Sequence, residues 1–273
     1  MSSLERVTFP NMGASVQSFD AMAFAKWKID EFNRTPGDLP GPDCPKCRNK
    51  GYIMVLREDG SPLSRECSCM TMRRCVRRME ESGLRDVIKN CTFDRFQAGE
   101  SWQRTVLQSA MDYAKNPEGW FLICGQSGAG KSHLCTAICR ELLLQSQQVV
   151  YASWRQEIGE IKAMALDAEG RGEKLSELKN AQVLYIDDLF KTGAGPMGEA
   201  RPTAADISLA FEILNPRYMS RRITIVSTEF LPDELLRFDE ALGGRLMEMA
   251  KGHTLVIDRR SDRNYRMRGV PIL

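Results

Sequence analysis

The chain has 273 residues, 42% of them hydrophobic and 27% charged, with a formal net charge of +2. That length can bury a large core and lies near the point where one core gives way to two domains. The near-neutral balance excludes wholesale attraction to nucleic acid, which would have to come from local patches. No apolar run reaches the length of a membrane span, and Met1–Pro10 lacks an apolar signal core, so a cytoplasmic protein without a membrane partner is expected. In that compartment nine cysteines point to metal or core roles rather than disulfides.

Residues 1–15 read as mobile. From Ser18 to Asn33, helical spacing gathers Phe19, Met22, Phe24, Trp27, Ile29 and Phe32 on a broad apolar face. A breaker segment, Thr35-Pro36-Gly37-Asp38-Leu39-Pro40-Gly41-Pro42, ends it. A cysteine-rich module follows over about 44–70. Its pairs, Cys44-Pro45-Lys46-Cys47 and Cys67-Ser68-Cys69, flank a hairpin-sized insert containing Gly51 and Asp59-Gly60. Two such pairs suit a structural, tetrahedral four-cysteine zinc site, with Cys75 open as a substitute ligand. A module of about 30 residues cannot build its own core, so metal binding would supply folding free energy.

A basic helix is predicted from Thr71 to about Glu81, ending near Gly83, with Arg73, Arg74, Arg77 and Arg78 on one face. Residues 84–100 then connect to a second domain, giving 1–82 and 83–273. From about 101, helices alternate with short apolar strands at 120–124, Val149–Ser153, Val183–Ile186, Ile223–Ser227 and Thr254–Ile257. This alternation predicts a parallel α/β sheet. Cys91, Cys124, Cys135 and Cys139 read as small buried hydrophobes. His133 and His253 lack ligand-type companions and read as neither catalytic nor metal-bound.

Between the strand at 120–124 and a helix from Lys131 to Gln145 lies Gly125-Gln126-Ser127-Gly128-Ala129-Gly130-Lys131-Ser132. It fits G-x-x-x-x-G-K-S/T, the phosphate-binding P-loop. Glycines let the backbone N–H groups approach a polyphosphate at a helix N-terminus. Lys131 would reach the β- and γ-phosphates, and Ser132 would hold Mg²⁺. Val183-Leu184-Tyr185-Ile186-Asp187-Asp188 has the form of a Walker B strand, with Asp187 supporting the metal and Asp188 polarising a water. Asp is shorter than the more usual Glu, so slow hydrolysis is expected. The strand at 223–227 ends in Ser227-Thr228-Glu229; a polar group there would touch the γ-phosphate as a sensor, with Thr228 preferred and Ser227 and Glu229 close rivals. Arg259, Arg260, Arg263, Arg266 and Arg268, like the arginines after the cysteines, form either a grip on phosphate backbones or a solvated face.

These motifs together resemble the DnaC/DnaI-type replicative helicase loaders, in particular the DnaC-like ATP-binding proteins of phages and mobile elements. The resemblance runs from Cys44 to the end. It includes Cys91-Thr92-Phe93-Asp94-Arg95-Phe96, the P-loop, Ile186-Asp187-Asp188-Leu189-Phe190-Lys191, the 205–218 helix and Leu242-Gly243-Gly244-Arg245. It implies an AAA+ fold of the initiator type without a full lid domain. It implies an ATPase using ATP as an assembly switch, acting on a replicative ring helicase and single-stranded DNA, and oligomeric in its ATP- or helicase-bound state. It implies that Arg245 is an arginine finger acting in trans and that Phe93 and its neighbours lie near the adenine. The segment after Trp154 would be an insertion facing DNA, with Lys162, Arg171 and Lys174 as contacts. The N-terminal region would dock on the helicase, although the apolar face of 18–33 could equally pack on the zinc module. A transposition ATPase of the same clade is the alternative. A small-molecule P-loop kinase and a zinc-dependent DNA-binding regulator fit less well.

Overall fold

A computed structural model describes residues 21–41, 43–79, 90–145, 147–191 and 201–267. The stretch expected to be mobile (1–15), Ser18–Asp20 of the first helix, the helix end near Gly83 and Arg268 lie outside the described residues, as does the side chain of Arg78. The chain divides into two compact units, Met1–Met70 and Thr71–Leu273.

In the first unit, helix α1 (Ala21–Arg34) is followed by strands β1 (Tyr52–Leu56) and β2 (Pro62–Glu66), paired antiparallel from Tyr52↔Glu66 to Leu56↔Pro62. Gly60 takes φ +79° in the connecting turn, where Asp59 accepts hydrogen bonds from the Ser61 amide and hydroxyl. Asn33 acts as a local strand partner: its side-chain amide donates to the Met54 carbonyl and accepts from the Met54 N–H, at 2.9 and 3.0 Å. α1 therefore lies against the hairpin. Ile29 is buried, whereas Met22, Phe24, Trp27 and Phe32 remain exposed.

The second unit is built on five parallel strands: β3 (Trp120–Gly125), β4 (Val149–Ser153), β5 (Val183–Asp187), β6 (Ile223–Thr228) and β7 (Thr254–Ile257). Their spatial order is β4-β5-β6-β3-β7, all parallel. Every residue of β3 is buried, as a central parallel strand covered on both faces requires. Its side chains alternate between two cores. Trp120, Leu122 and Cys124 face the cluster built with α5 (Trp154–Ala163), α6 (Ala168–Asn180), α7 (Ala204–Met219), α8 (Pro232–Phe238) and α9 (Glu240–Met249). Phe121 and Ile123 face the cluster with α3 (Ser101–Lys115) and α4 (Lys131–Leu144). The expected α/β architecture is thus present, with each strand placed within a residue of its predicted span.

The basic helix, α2 (Cys69–Met79), spans the boundary between the units. Its Cys75 is buried in the α3–α4 core beside Cys139. The α5–α6 insertion is pinned to α7 by ion pairs: Lys162 to Asp206 at 2.6 Å, and Arg171 and Lys179 to Glu212 at 2.9 Å each. Lys174 pairs with Glu157 and Glu160 within the insertion. Arg217 is fully buried and donates to the carbonyls of Leu178, Lys179, Ala181 and Ile223. It thereby satisfies acceptors that the C-terminus of α6 would otherwise leave unpaired. Among the described residues, no helix is long and apolar enough to cross a membrane.

Candidate nucleotide site and cysteine cluster

The turn from β3 into α4 fixes the phosphate loop. Gly125 has φ +110°, and a Cβ there would lie 1.8 Å from the Ile257 carbonyl oxygen of the neighbouring strand. Gly128 has φ +73° and a Cβ position only 2.0 Å from Asn264 Oδ1. A side chain is excluded at Gly125 by backbone conformation and by the neighbouring strand's backbone, and is disfavoured at Gly128 by the positive φ. The Tyr265 N–H donates to the Gly128 carbonyl at 2.9 Å, so the segment after β7 closes against the loop.

Lys131 is buried and donates to the loop's own carbonyls, Gly125 at 2.7 Å and Gln126 at 2.9 Å. Burial pulls its pKa below the usual lysine range, against the opposing charges of Asp188 and Glu229. The Ser132 hydroxyl donates to Asp187 at 2.9 Å, joining the P-loop to the end of β5. Asp187 also accepts from the hydroxyls of Tyr185 at 2.7 Å, Ser227 at 2.6 Å and Tyr151 at 3.2 Å. A serine hydroxyl and a carboxylate so placed are hard oxygen donors of the kind Mg²⁺ takes.

Asp188 begins a strained turn, with φ +56°, and Phe190 follows at φ +66°. Neither is glycine, and such conformations cost about 1–3 kcal/mol each. Neighbouring contacts hold them. The Asp188 N–H donates to Ser227 Oγ, and the Leu189 N–H to the Ser227 carbonyl. Thr228 Oγ1 donates to the Leu189 carbonyl, and the Phe190 ring is buried edge-on against Trp154 and Phe238. Thr228 is fully buried in this role and does not line the cavity, whereas Glu229 does. Lys191 ends the turn, donating to Asp188 and Glu229 at 2.9 Å each. Burial and the charge of Asp187 raise the Asp188 pKa, with Lys191 opposing. Burial would raise that of Glu229 too, but hydrogen bonds from Lys191 and Ser127 bring it below the ordinary range.

These groups share a cavity of about 480 Å³, lined by Ser127–Ser132, Asp187, Asp188, Lys191 and Glu229 and by Phe96, Gln97 and Trp102. Arg95, Arg263 and Arg266 also face it. Phe93 does not line it; its neighbour Phe96 does, packed edge-on to His133. Neither Phe96 nor Trp102 stands out individually in the sequence, and the C-terminal arginines give no sign there of facing a nucleotide cavity. Arg259, Arg260 and Arg263 pair with Glu234, Asp262 and Asp258. Arg245 lies outside the cavity, its guanidinium 5.0 Å from the Phe211 ring centroid and 5.3 Å from that of Tyr218. Burial pushes the thiols of Cys91 and Cys124 up to about 12, leaving them protonated and inert. His133 donates to the Thr92 carbonyl, and His253 packs on Tyr113.

In the first unit, the sulfurs of Cys44, Cys47, Cys67 and Cys69 lie within 4.8 Å of one another, and no disulfide links them. Cys44–Cys67 and Cys47–Cys69 are 3.7 and 3.5 Å apart. A tetrahedral zinc with Zn–S bonds of about 2.3 Å sets its sulfurs about 3.8 Å apart, so the donor set fits that ion. Cys75, buried in the other unit's core, is not in the cluster.

Residues 58–267 match the family described as IstB-like ATP binding protein. The phage-like element PBSX protein XkdC of Bacillus subtilis (strain 168) is 30% identical over 240 residues, which cover 84% of this chain and 87% of that protein. The replicative helicase loader DnaC of Escherichia coli (strain K12) is 29% identical over 198 residues, covering 71% and 75%. Among solved structures, the DnaC helicase loader shares the fold with a TM-score of 0.53 at 22% identity, covering 62% of this chain and 98% of that one.

Proposed function

Because this chain belongs to the IstB-like ATP-binding family of AAA+ proteins, we propose that it is an ATP-dependent loader of a replicative ring helicase. It would place the helicase on single-stranded DNA in the cytoplasm as replication initiates, with ATP as the assembly switch. The observation that carries this reading is the likeness to the DnaC loader across 71% of the chain.

Each residue then has a stated task. Lys131 leaves the Gly125 and Gln126 carbonyls for the β- and γ-phosphates. Ser132 and Asp187 hold Mg²⁺, which when bound neutralises charge on the phosphate oxygens. Asp188 accepts the proton of the attacking water. Hydrolysis is slow, because Asp188 is short and its carboxylate is shared with Lys191. Arg245 reaches the γ-phosphate of a neighbouring copy, which requires a homo-oligomer. Zinc at Cys44, Cys47, Cys67 and Cys69 is structural, and the exposed Met22, Phe24, Trp27 and Phe32 of α1 meet the helicase. Contacts of DNA with Lys162, Arg171 or Lys174 would have to compete with the acidic partners those residues already hold.

The test is a pull-down of the tagged chain from its native host, with ATP and with ADP. Recovery of the replicative helicase in ATP supports the loader. Recovery of a transposase instead overturns it in favour of the transposition-associated ATPase.

A further inference from the structure

The turn after β5 expends backbone strain at Asp188 and Phe190, and its product is the position of one ammonium group. Lys191 stands between two carboxylates that belong to different strand ends, Asp188 after β5 and Glu229 after β6. Its side chain is 41% exposed and lines the same cavity as the P-loop. An ammonium has three N–H donors, and the two carboxylates take two, leaving one for a ligand. Burial alone would lower its pKa, but Asp188 and Glu229 raise it, so the cation persists.

The charged groups that line the cavity are the carboxylates of Asp187, Asp188 and Glu229 and the cations of Lys131, Lys191, Arg95, Arg263 and Arg266. Of these cations, Lys191 is the one whose ammonium bonds both Asp188 and Glu229. The phosphate that lies beyond Lys131 and Ser132 is the γ-phosphate, the end that distinguishes a triphosphate from a diphosphate. Without Lys191, that phosphate would meet Asp188 and Glu229 directly, as like charges at short range.

We propose that Lys191 is a γ-phosphate-reading residue: it donates to the terminal phosphate of a bound nucleoside triphosphate while screening Asp188 and Glu229, and so sets the preference for triphosphate over diphosphate. The proposal rests on the reading of this cavity as an ATP site and not on helicase loading. Release of the triphosphate's terminal group removes Lys191's third partner and returns it to the carboxylate pair seen here.

The experiment measures the affinities of ADP and a non-hydrolysable ATP analogue, with Mg²⁺, for the wild type, Lys191→Met and Lys191→Arg. Lys191→Met should weaken the triphosphate analogue about tenfold and change ADP less than about twofold, and Lys191→Arg should restore most of the loss. Unchanged ADP binding also shows that the variant is folded. A second measurement needs no variant: amine labelling of Lys191 in the wild type, read by mass spectrometry, should be suppressed by the triphosphate analogue and not by ADP. Equal losses for both nucleotides, no loss for either, or equal labelling in both complexes would overturn the proposal. A wild type that binds neither nucleotide would overturn it together with the ATP site. A failed helicase pull-down with the expected affinities would sink only the loader.

Discussion

Replacing Cys47 by serine removes the most deeply placed member of the cysteine cluster. Its sulfur is fully buried and accepts the Gly51 N–H at 3.3 Å. Around it the first unit has little else to hold it. The buried cluster consists of Cys44, Cys47 and Cys67, with Ile53 and Cys69 packed against them, and most of β2 is exposed. A core this small cannot order the unit by itself. A structural zinc contributes about 10–16 kcal/mol. If losing one ligand removes only about 4 kcal/mol of that, affinity falls roughly a thousandfold. The wild type should therefore carry one zinc per chain by atomic absorption, and Cys47→Ser close to none. Hydrogen exchange at the Met54 and Cys67 amides, which bond to Asn33 and to the Gly51 carbonyl, should rise to the rate of unstructured chain. ATP affinity should hold, since the P-loop lies in the other unit. A wild type without zinc, or a variant whose amides stay protected, would remove the structural zinc.

Arg245→Ala should leave ATP affinity unchanged while lowering hydrolysis and ATP-dependent assembly more than about tenfold; full ATPase activity in that variant would remove the finger role. Burial alone would raise the pKa of Asp206, but Lys162 and Thr203 hold it below the ordinary value. A depressed folded-state pKa contributes stability that is complete above the unfolded value, near 3.8, and lost as pH falls through the folded value. Thermal melts should accordingly show a steep loss below about pH 4 in the wild type, and a shallower one in Asp206→Asn. That variant should also lose about 2 kcal/mol at neutral pH, from charge-assisted bonds to Lys162 and Thr203. Identical acid limbs would dissociate the ion pair from stability.

Much of the fold was legible because its signals are local. Apolar runs marked the strands, and the P-loop residues state their own backbone requirement at Gly125 and Gly128. The acids at 187 and 188 follow directly from the strand that carries them. What stayed hidden depends on partners far apart in the chain. Thr228 ends β6, and its hydroxyl donates to the carbonyl of Leu189, 39 residues earlier. Lys191 acquires its second carboxylate from Glu229, 38 residues later. Phe93 and Phe96 differ by one 3₁₀ turn, and the latter lies at the cavity, its ring against His133 and the P-loop at Gly130. The apolar face of α1 was visible as a period, but the period could not separate Ile29, which is buried, from Trp27, which is not. The acidic partners of Lys162, Arg171 and Lys174 (Asp206, Glu212 and Glu157) could not be read from the sequence either, because the first two come from α7.

Control of helicase loading by nucleotide state at the P-loop, as we propose, can be measured in a reconstituted loading assay. Purified chain, the host's replicative helicase and closed circular single-stranded DNA are mixed with ATP or ADP, and helicase retained on the circles is counted. Helicase should be retained with the wild type in ATP, little in ADP, and little in either with Lys131→Ala, whose loop has lost the ammonium that lies against Gly125. No retention by the wild type in ATP, or equal retention by Lys131→Ala, would contradict it.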